Sequence, residues 1–527
     1  MKLRKKCVAA LALAGVMVFV TACGTSQGGN ANTTQKPETN SSSQSAETEK
    51  KDVTLSLYYY DGLRVFKNTS PIWTEIQEKT GIKLEEVAPT TPGGDQNEQF
   101  NLMLASGEIP DIITTTKENI VKNGDKLFIP LEDLIEEHAP NIKKMLEENP
   151  DVKAATTGTD GHTYFMPYLS DGDVSEVLFI RKDWLDKFNL PIPTTVEEYE
   201  NALRTFREKD ANGNGKKDEV GYFDRQGSSE NGIAAIFNFY GSLMAPYVED
   251  GVVKDDRYVP EFKEAVKNVA RIYGEGLIDP ELYTRGKDSR EVMFNGNMGA
   301  STVDWVASTA TYQTKYEDQI PGLEWVGILP PADPEGRVRT QYSRAKINAS
   351  SWGISKECKD PVAAIKLFDF MFSEEGSRIM NFGIEGVTYD LVDGKPVFKE
   401  EVLKGDLPVN DQLRDMGYLQ IGYPQDFEYE RQWTDELALK ASELYMEAKP
   451  FVDTIAGLSL THTPEELELI SKKEPALKAY TLEMIQKWVL GSEDIDASFD
   501  NYLKKANELG AGEIIAAYQA AYDRGYK

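Results

Sequence analysis

The sequence predicts an α/β fold, on three observations. Short apolar strands alternate with amphipathic helical stretches along the first half of the chain, a pattern that builds parallel βαβ units. The composition, 40% hydrophobic and 28% charged, is that of a chain able to bury a large core. At about 150 residues per domain, a length of 527 residues suggests roughly three domains or two large lobes.

The elements follow in order. Val53–Tyr60 reads as a strand, with Val53, Leu55 and Leu57 alternating with polar partners. Pro71–Thr80 reads as a helix ended by Gly81, followed by a strand at Ile82–Val87. Glu98–Ala105 is helical, Ser106–Asp111 a turn, and Ile112–Thr114 a short buried strand. Val177–Ile180 is a further strand and Trp184–Phe188 a short helix. Pro191-Ile192-Pro193 then stiffens the connection, and Thr195 with Glu198 makes a capping box for the next helix. The last third is helical: Pro361–Phe372, Asp435–Met446, a helix opened by Thr463-Pro464-Glu465-Glu466, and a final segment Phe499–Arg524. No internal repeat is present.

Charge and cysteine content exclude several functions. With 58 Lys+Arg against 87 Asp+Glu the chain carries −29, and no basic stretch follows the first six residues. Nucleic acid is therefore not an expected partner, since phosphate binding needs a basic face. Of three cysteines only Cys358 lies in the body, so no disulfide framework and no thiol-metal site is expected there. Three histidines, His138, His162 and His462, are too few for a His-rich metal site; His138 and His462 read as solvated and His162 lies in a turn. No HExxH, Walker A loop or full GxGxxG fingerprint occurs.

The first residues read as an address. Lys2, Arg4, Lys5 and Lys6 precede an apolar run, Cys7–Val20, too short to span a bilayer comfortably and of the right length for a signal peptide. Val20-Thr21-Ala22-Cys23 resembles a bacterial lipobox, which implies cleavage before Cys23 and lipidation of its thiol; two acyl chains hold a protein stably at a membrane. Cleavage leaves 54 Lys+Arg against 87 acids, a charge of −33. Residues 24–51, rich in Ser, Thr, Asn, Gln and Gly, read as a disordered tether. The Gly24–Gly28 match to G-x-S-x-G lies in that tether, without the strand and helix a nucleophile elbow needs.

Asp210-Ala211-Asn212-Gly213-Asn214-Gly215-Lys216-Lys217-Asp218-Glu219 fits the opening of an EF-hand calcium loop. Alternate residues bring oxygen ligands to one point, Gly215 permits the sharp turn, and Lys216 offers its carbonyl. Position twelve is Gly221 rather than Glu; Glu219 at position ten is the available substitute. The alternative reading is a solvated Asn/Gly/Asp turn without metal.

Several stretches together resemble the family 1 extracellular solute-binding lipoproteins of carbohydrate ABC importers, especially the alginate-oligosaccharide-binding subgroup. They are the lipobox, Leu104–Asp111, Asp160–Pro167, Ile180–Leu185 with Pro193-Thr194-Thr195, Phe294–Gly299, Ser373–Gly376 and Phe382–Gly386. The resemblance implies a two-lobed, periplasmic-binding-protein-like fold (type II) with the ligand in the cleft between hinged lobes. It implies a non-enzymatic, monomeric receptor on the extracellular face of a bacterium, Gram-positive by its lipoprotein relatives, that hands an oligosaccharide to ABC permease subunits. It also implies a structural calcium held by Asp210, Asn212, Asn214, Asp218 and Glu219 and the carbonyl of Lys216.

The domains expected are a signal peptide at 1–22, the lipidated Cys23 and tether at 23–51, an N-terminal lobe of 52–168 plus 305–352, and a C-terminal lobe of 169–304 plus 353–527. Sugar binding needs flat aromatic faces and a few placed polar groups. The family plan nominates Tyr59, Tyr60, Asp61, Tyr168, Asp304, Trp305, Trp352, Glu385 and Trp433. Alternation sends Tyr59 to the face opposite Tyr58 and Tyr60, and Trp73 and Trp184 are expected in the core. Arg344 and Lys346 read as solvated charges, or as partners for an acidic sugar. Rival readings are a peptide-binding or adhesive surface lipoprotein, and a secreted glycoside hydrolase with paired carboxylates.

Overall fold

The structure, a computed structural model, describes residues 53–60, 66–87, 95–172, 174–225, 230–306 and 313–527. The signal peptide, Cys23, the tether and Asp61 lie outside the described residues.

Thirteen strands occur among them: β1 Val53–Tyr58, β2 Ile82–Val87, β3 Ile112–Thr116, β4 Met166–Leu169, β5 Glu176–Arg181, β6 Val220–Tyr222, β7 Pro246–Glu249, β8 Val252–Asp255, β9 Gly299–Trp305, β10 Trp325–Ile328, β11 Ile347–Ile354, β12 Tyr389–Val392 and β13 Lys395–Phe398. Two mixed sheets organise the lobes, ordered β2-β1-β3-β11-β4 and β10-β5-β9-β6. β1 is parallel to β2 and β3, as the alternation predicts, but β11 is antiparallel to β3 and β4. The reason is the crossing: β4 leaves the first lobe at Leu169 and β11 returns at Ile347, directly opposite. In the second sheet β5 is antiparallel to both β9 and β10, and only β6 runs parallel to β9.

Local chemistry sets the first elements. The helix Pro71–Thr80 opens on Pro at its first turn and ends on Gly81 at φ 72°, a left-handed conformation that glycine adopts without steric cost. The turn before β3 has a structural purpose: one Asp111 carboxylate oxygen accepts from the Ser56 amide at 2.8 Å and hydroxyl at 2.6 Å, and the other from the Lys359 amide at 3.0 Å. Burial pushes the Asp111 carboxyl up, but these hydrogen bonds outweigh it and hold it below the ordinary value. Capping boxes at Thr195/Glu198 and Thr463/Glu466 open the helices Val196–Glu208 and Pro464–Val489. The final segment is two helices, Ile495–Glu508 and Ala511–Tyr526, rather than one; Gly510 at φ 105° breaks it.

The expected lobe boundaries need correction. β10 pairs with β5, so residues 325–328 belong with the second sheet. Residues after β11 do not leave for the second lobe: Ala364, Phe368, Phe382, Leu413 and Tyr429 share the first lobe's core with Leu55, Leu57 and Ile112. Consecutive elements pack against each other, and here Trp352 of β11 stacks on Phe368 of the helix Pro361–Met371, ring centroids 3.8 Å apart. The chain rejoins the second lobe with the helix Glu436–Ala448, whose Ala438, Ala441 and Tyr445 pack with Val177 and Phe179 of β5. Trp73 and Trp184 are core residues as expected.

Trp352 is thus a core residue, not a ligand platform: it is 0% exposed. Gly422 makes room for it, since a Cβ there would stand 2.0 Å from Trp352 Nε1. Trp352→Ala is expected to lower unfolding free energy by about 3–5 kcal/mol, and Gly422→Ala to destabilise as well. Denaturant titration followed by circular dichroism checks both.

Candidate ligand-binding cleft

Three segments carry the chain between the sheets and lie side by side. Leu169–Ser175 runs from β4 to β5, Tyr342–Lys346 leads into β11, and Tyr423–Trp433 returns toward the second lobe. Backbone hydrogen bonds join them: Leu169 N–H to Tyr423 O at 3.0 Å, Gln425 N–H to Leu169 O at 2.8 Å, Ser170 N–H to Lys346 O at 2.8 Å and Ser175 N–H to Tyr342 O at 3.3 Å. Arg344 fastens all three. Its guanidinium donates to Asp171 O at 3.0 Å on the first segment, and to both Glu430 oxygens at 3.0 and 2.9 Å on the third. Burial lowers the Arg344 pKa and the Glu430 carboxylate more than restores it, so the net shift is upward. Arg344 is therefore an internal brace rather than a solvated charge, whereas Lys346 is a half-exposed partner of Asp151 at 2.7 Å.

A cleft of about 1320 Å³ lies on this ribbon. Tyr168, Ser170, Gln341, Tyr342, Gln425, Glu430 and Trp433 come from or beside the crossing segments. Glu176 at the start of β5 and Trp305 at the end of β9 come from the second sheet. Lys117 reaches in from the first lobe and donates to the carbonyls of Ser459 at 2.5 Å and Leu460 at 3.3 Å; burial pushes its ammonium down to about 8.

Of the nominated sugar residues, the cleft wall gathers Tyr168, Trp305 and Trp433. Trp305 is 52% exposed, an unusual state for an indole. Asp304 is what sets it there: the Asp304 carboxylate accepts from the Trp305 amide at 2.6 Å, and pairs with Arg225 at 3.3 Å and with Arg290. Arg225 in turn lies 5.9 Å from the Trp305 ring centroid. Asp304 is buried and does not line the cleft, because its oxygens are spent on these partners. Tyr59 and Tyr60 are buried on opposite faces of the first sheet, as the alternation predicts, and not on the wall. Glu385 is exposed on a turn outside the lining.

Glu176, Asn410, Arg414, Gln425 and Glu430, none of them among the nominated residues, also line the cleft. No local motif marks them; the start of β5 places Glu176, and the return of residues 355–433 to the first lobe brings the other four there. His462, read as solvated, is partly buried on the wall, its side chain 13% exposed, and desolvation pushes its imidazole down.

Away from the cleft, residues 210–219 form a self-bonded loop. Asp210 takes positive φ (52°), and its two carboxylate oxygens accept the amides of Asn214 at 3.0 Å and Gly215 at 2.9 Å. Asn212 and Asn214 both donate to Asp218 at 3.0 Å. Glu219 is 0% exposed; Oε1 accepts the Asn212 amide at 3.1 Å and Oε2 has no partner. Burial first, then Asp210 and Asp218, push the Glu219 carboxyl up. Among the described residues no cluster of three His, Cys, Asp or Glu side chains is drawn together as a metal site. The loop's oxygen donors and the orphaned Glu219 oxygen nevertheless suit a hard cation.

Two α/β lobes joined by a three-stranded crossing, with the cleft on the crossing, define a hinged binding protein. The family model of the bacterial extracellular solute-binding proteins matches residues 67–378, and the chain belongs to that family. Its members bind solutes and are not enzymes. The chain is 26% identical over 493 residues to the fructooligosaccharide ABC transporter substrate-binding protein FusA of Streptococcus pneumoniae serotype 4, covering 87% of each. It is 23% identical over 452 residues to the polygalacturonan/rhamnogalacturonan-binding protein YtcQ of Bacillus subtilis, covering 85% of this chain and 87% of that one. Among solved structures, alginate-binding protein AlgQ2 without calcium ion is 37% identical, with a TM-score of 0.73, over 90% of this chain and 98% of that one. An HMO-binding solute-binding protein of Bifidobacterium longum infantis has the same fold at 22% identity, TM-score 0.74, over 90% and 99% of the two chains.

Removing one partner of a buried ion pair strands the other, and partial exposure of Arg344 and Glu430 moderates the cost. Arg344→Ala is expected to destabilise the protein by about 1–3 kcal/mol in urea titration, whereas Lys346→Ala leaves the transition midpoint within experimental error.

Proposed function

We propose that the protein is a lipid-anchored receptor that captures an oligosaccharide in the cleft and delivers it to an ABC permease at the cell surface. The observation that carries the sugar reading is Trp305. An indole held half-exposed on a cleft wall, with polar groups around it, offers the apolar face and the placed donors that a sugar ring needs. Relatives named for fructooligosaccharide, polygalacturonan and alginate binding support the reading. The crossing ribbon supplies a hinge, so a ligand touching both lobes favours the closed arrangement by its extra contacts there. Cys23 is the proposed anchor point; a related Bacillus subtilis protein bears the name lipoprotein LipO. We place the working form as a monomer.

Calcium belongs to the same proposal. Asp210, Asn212, Asn214, Asp218 and Glu219 would hold the ion with the Lys216 carbonyl, and Glu219 Oε2 would gain the partner it lacks. The ion would offset most of the charge of the three acids in one loop and stabilise the lobe by linkage. The names of an AlgQ2 structure without calcium and a FusA EF-hand mutant support this assignment.

Three outcomes follow from the proposal. Thermal-shift screening against a panel of oligosaccharides is expected to show saturable stabilisation, and Trp305→Ala to reduce affinity about tenfold or more without lowering the melting temperature; sugar turnover, or full affinity in the variant, contradicts the reading. With chelator present, the raised Glu219 value means the folded state holds its proton more tightly. Its share of stability is then greatest below the ordinary glutamate range and is lost as pH rises through the folded value. Calcium is expected to reverse that loss, raising the melting temperature at neutral pH in the wild type and much less in Glu219→Gln; equal melting with calcium and with EDTA removes the metal. Cys23→Ser is expected to release the protein from membranes into the medium, read by fractionation and immunoblot.

A further inference from the structure

The charges on the cleft wall carry an inference about which sugars enter it, and it rests on the sugar-receptor reading above. A uronate-containing ligand brings carboxylates, and these are recognised by arginines with a free pair of N–H donors. Among the described residues the wall's cations are already matched. Arg344 is held by both oxygens of Glu430, at 3.0 and 2.9 Å. Arg257 makes the same two-pronged contact with Asp255, at 2.8 and 2.6 Å. Lys478 pairs with Glu474 at 3.4 Å, and the Nη1 of Arg414 with Asp411 at 2.9 Å. Lys117 is capped by the carbonyls of Ser459 and Leu460. Behind Trp305, Arg225 and Arg290 both pair with Asp304.

The acids are not matched to the same extent. Glu176 lines the cleft, and burial pushes its carboxyl up despite the nearby Arg225 and Arg290. Glu118 lines it too. An entering carboxylate therefore meets like charge, and Arg414, with its Nη1 on Asp411 and its Nε open, is the one wall arginine with a buried donor left to offer it.

What the wall does leave open is dipolar. Four buried polar atoms on it have no hydrogen-bond partner; His462 Nδ1 faces Glu466 at 3.7 Å, and the other three are Asn410 Oδ1, Arg414 Nε and Trp433 Nε1. Asn410 and Arg414 stand one turn apart on the helix Val409–Asp415, so their side chains share a face. Trp433 closes the helix Phe427–Trp433. One acceptor and two donors suit a hydroxyl, which donates once and accepts as well. Left without such a partner, these groups would be buried at a cost.

We propose that the cleft selects neutral oligosaccharides over uronate-containing ones, with Asn410, Arg414 and Trp433 as the subsite that reads a sugar hydroxyl. The selection comes from charges neutralised within the wall, and the affinity from unpartnered dipoles and the exposed face of Trp305.

Isothermal titration calorimetry of the full mature chain tests this, using neutral fructo-, gluco- and xylo-oligosaccharides against oligomers of galacturonate and of mannuronate and guluronate, at low and high salt. Neutral oligomers are expected to bind saturably with an affinity that salt leaves unchanged, and the uronates at least about tenfold more weakly. Uronates that bind as tightly, with affinity falling as salt rises, overturn the proposal and leave the sugar receptor standing. Binding of neither class overturns both. Asn410→Ala and Trp433→Phe are each expected to lower neutral-sugar affinity about tenfold with an unchanged melting temperature; full affinity in both overturns the subsite. Glu430→Gln frees Arg344 and is expected to raise uronate affinity relative to neutral sugar. An unchanged ratio in a folded variant overturns the role assigned to pairing.

Discussion

The pairing of Arg344 with Glu430 is the constraint on which the working geometry depends. One guanidinium, placed in the second crossing segment, reaches a carbonyl of the first and a carboxylate of the third. Backbone ladders alone would let three short segments slide, because each contributes only a few hydrogen bonds. A planar group with donors in fixed directions sets their spacing. The cleft floor is therefore the hinge itself, and a ligand lying on it touches the place where the lobes turn.

The same pair explains why the cleft is chemically quiet. Charges taken out of water are costly unless paired within the protein, and the wall meets that requirement with its own acids rather than leaving it to a ligand. Asp304 repeats the arrangement behind Trp305, holding two arginines while orienting the indole's backbone amide. The exposed indole and the unpartnered Asn410, Arg414 and Trp433 atoms are then the least satisfied groups the wall presents.

The sequence made the local elements legible and left the long-range assembly hidden. Helix Pro71–Thr80, strand Ile82–Val87, the Thr195/Glu198 capping box and the helix start at Thr463 were readable because Pro, Gly, Thr and Glu act within a few residues of themselves. The two faces of Tyr58–Tyr60 were readable from the period of a strand. The lobe boundaries were not, since nothing local says that residues 361–429 pack back on the sheet that β11 completes. Trp352 shows the consequence. Nominated for the cleft, its indole instead fills the core against Phe368, and the next residue, Gly353, leaves room for Phe128 and the Tyr164 carbonyl. Trp305 and Trp433 do reach the cleft, but Asn410 and Arg414 sit in an undistinguished polar helix that only tertiary structure places there.

A ligand resting on the crossing ribbon is expected to draw the lobes together. Small-angle X-ray scattering of the purified mature chain, alone and saturated with the oligosaccharide that stabilises it most, tests this directly. A smaller radius of gyration is expected with the sugar bound, and no such change when Trp305→Ala is mixed with the same sugar at the same concentration. A radius of gyration unchanged at saturation would contradict it.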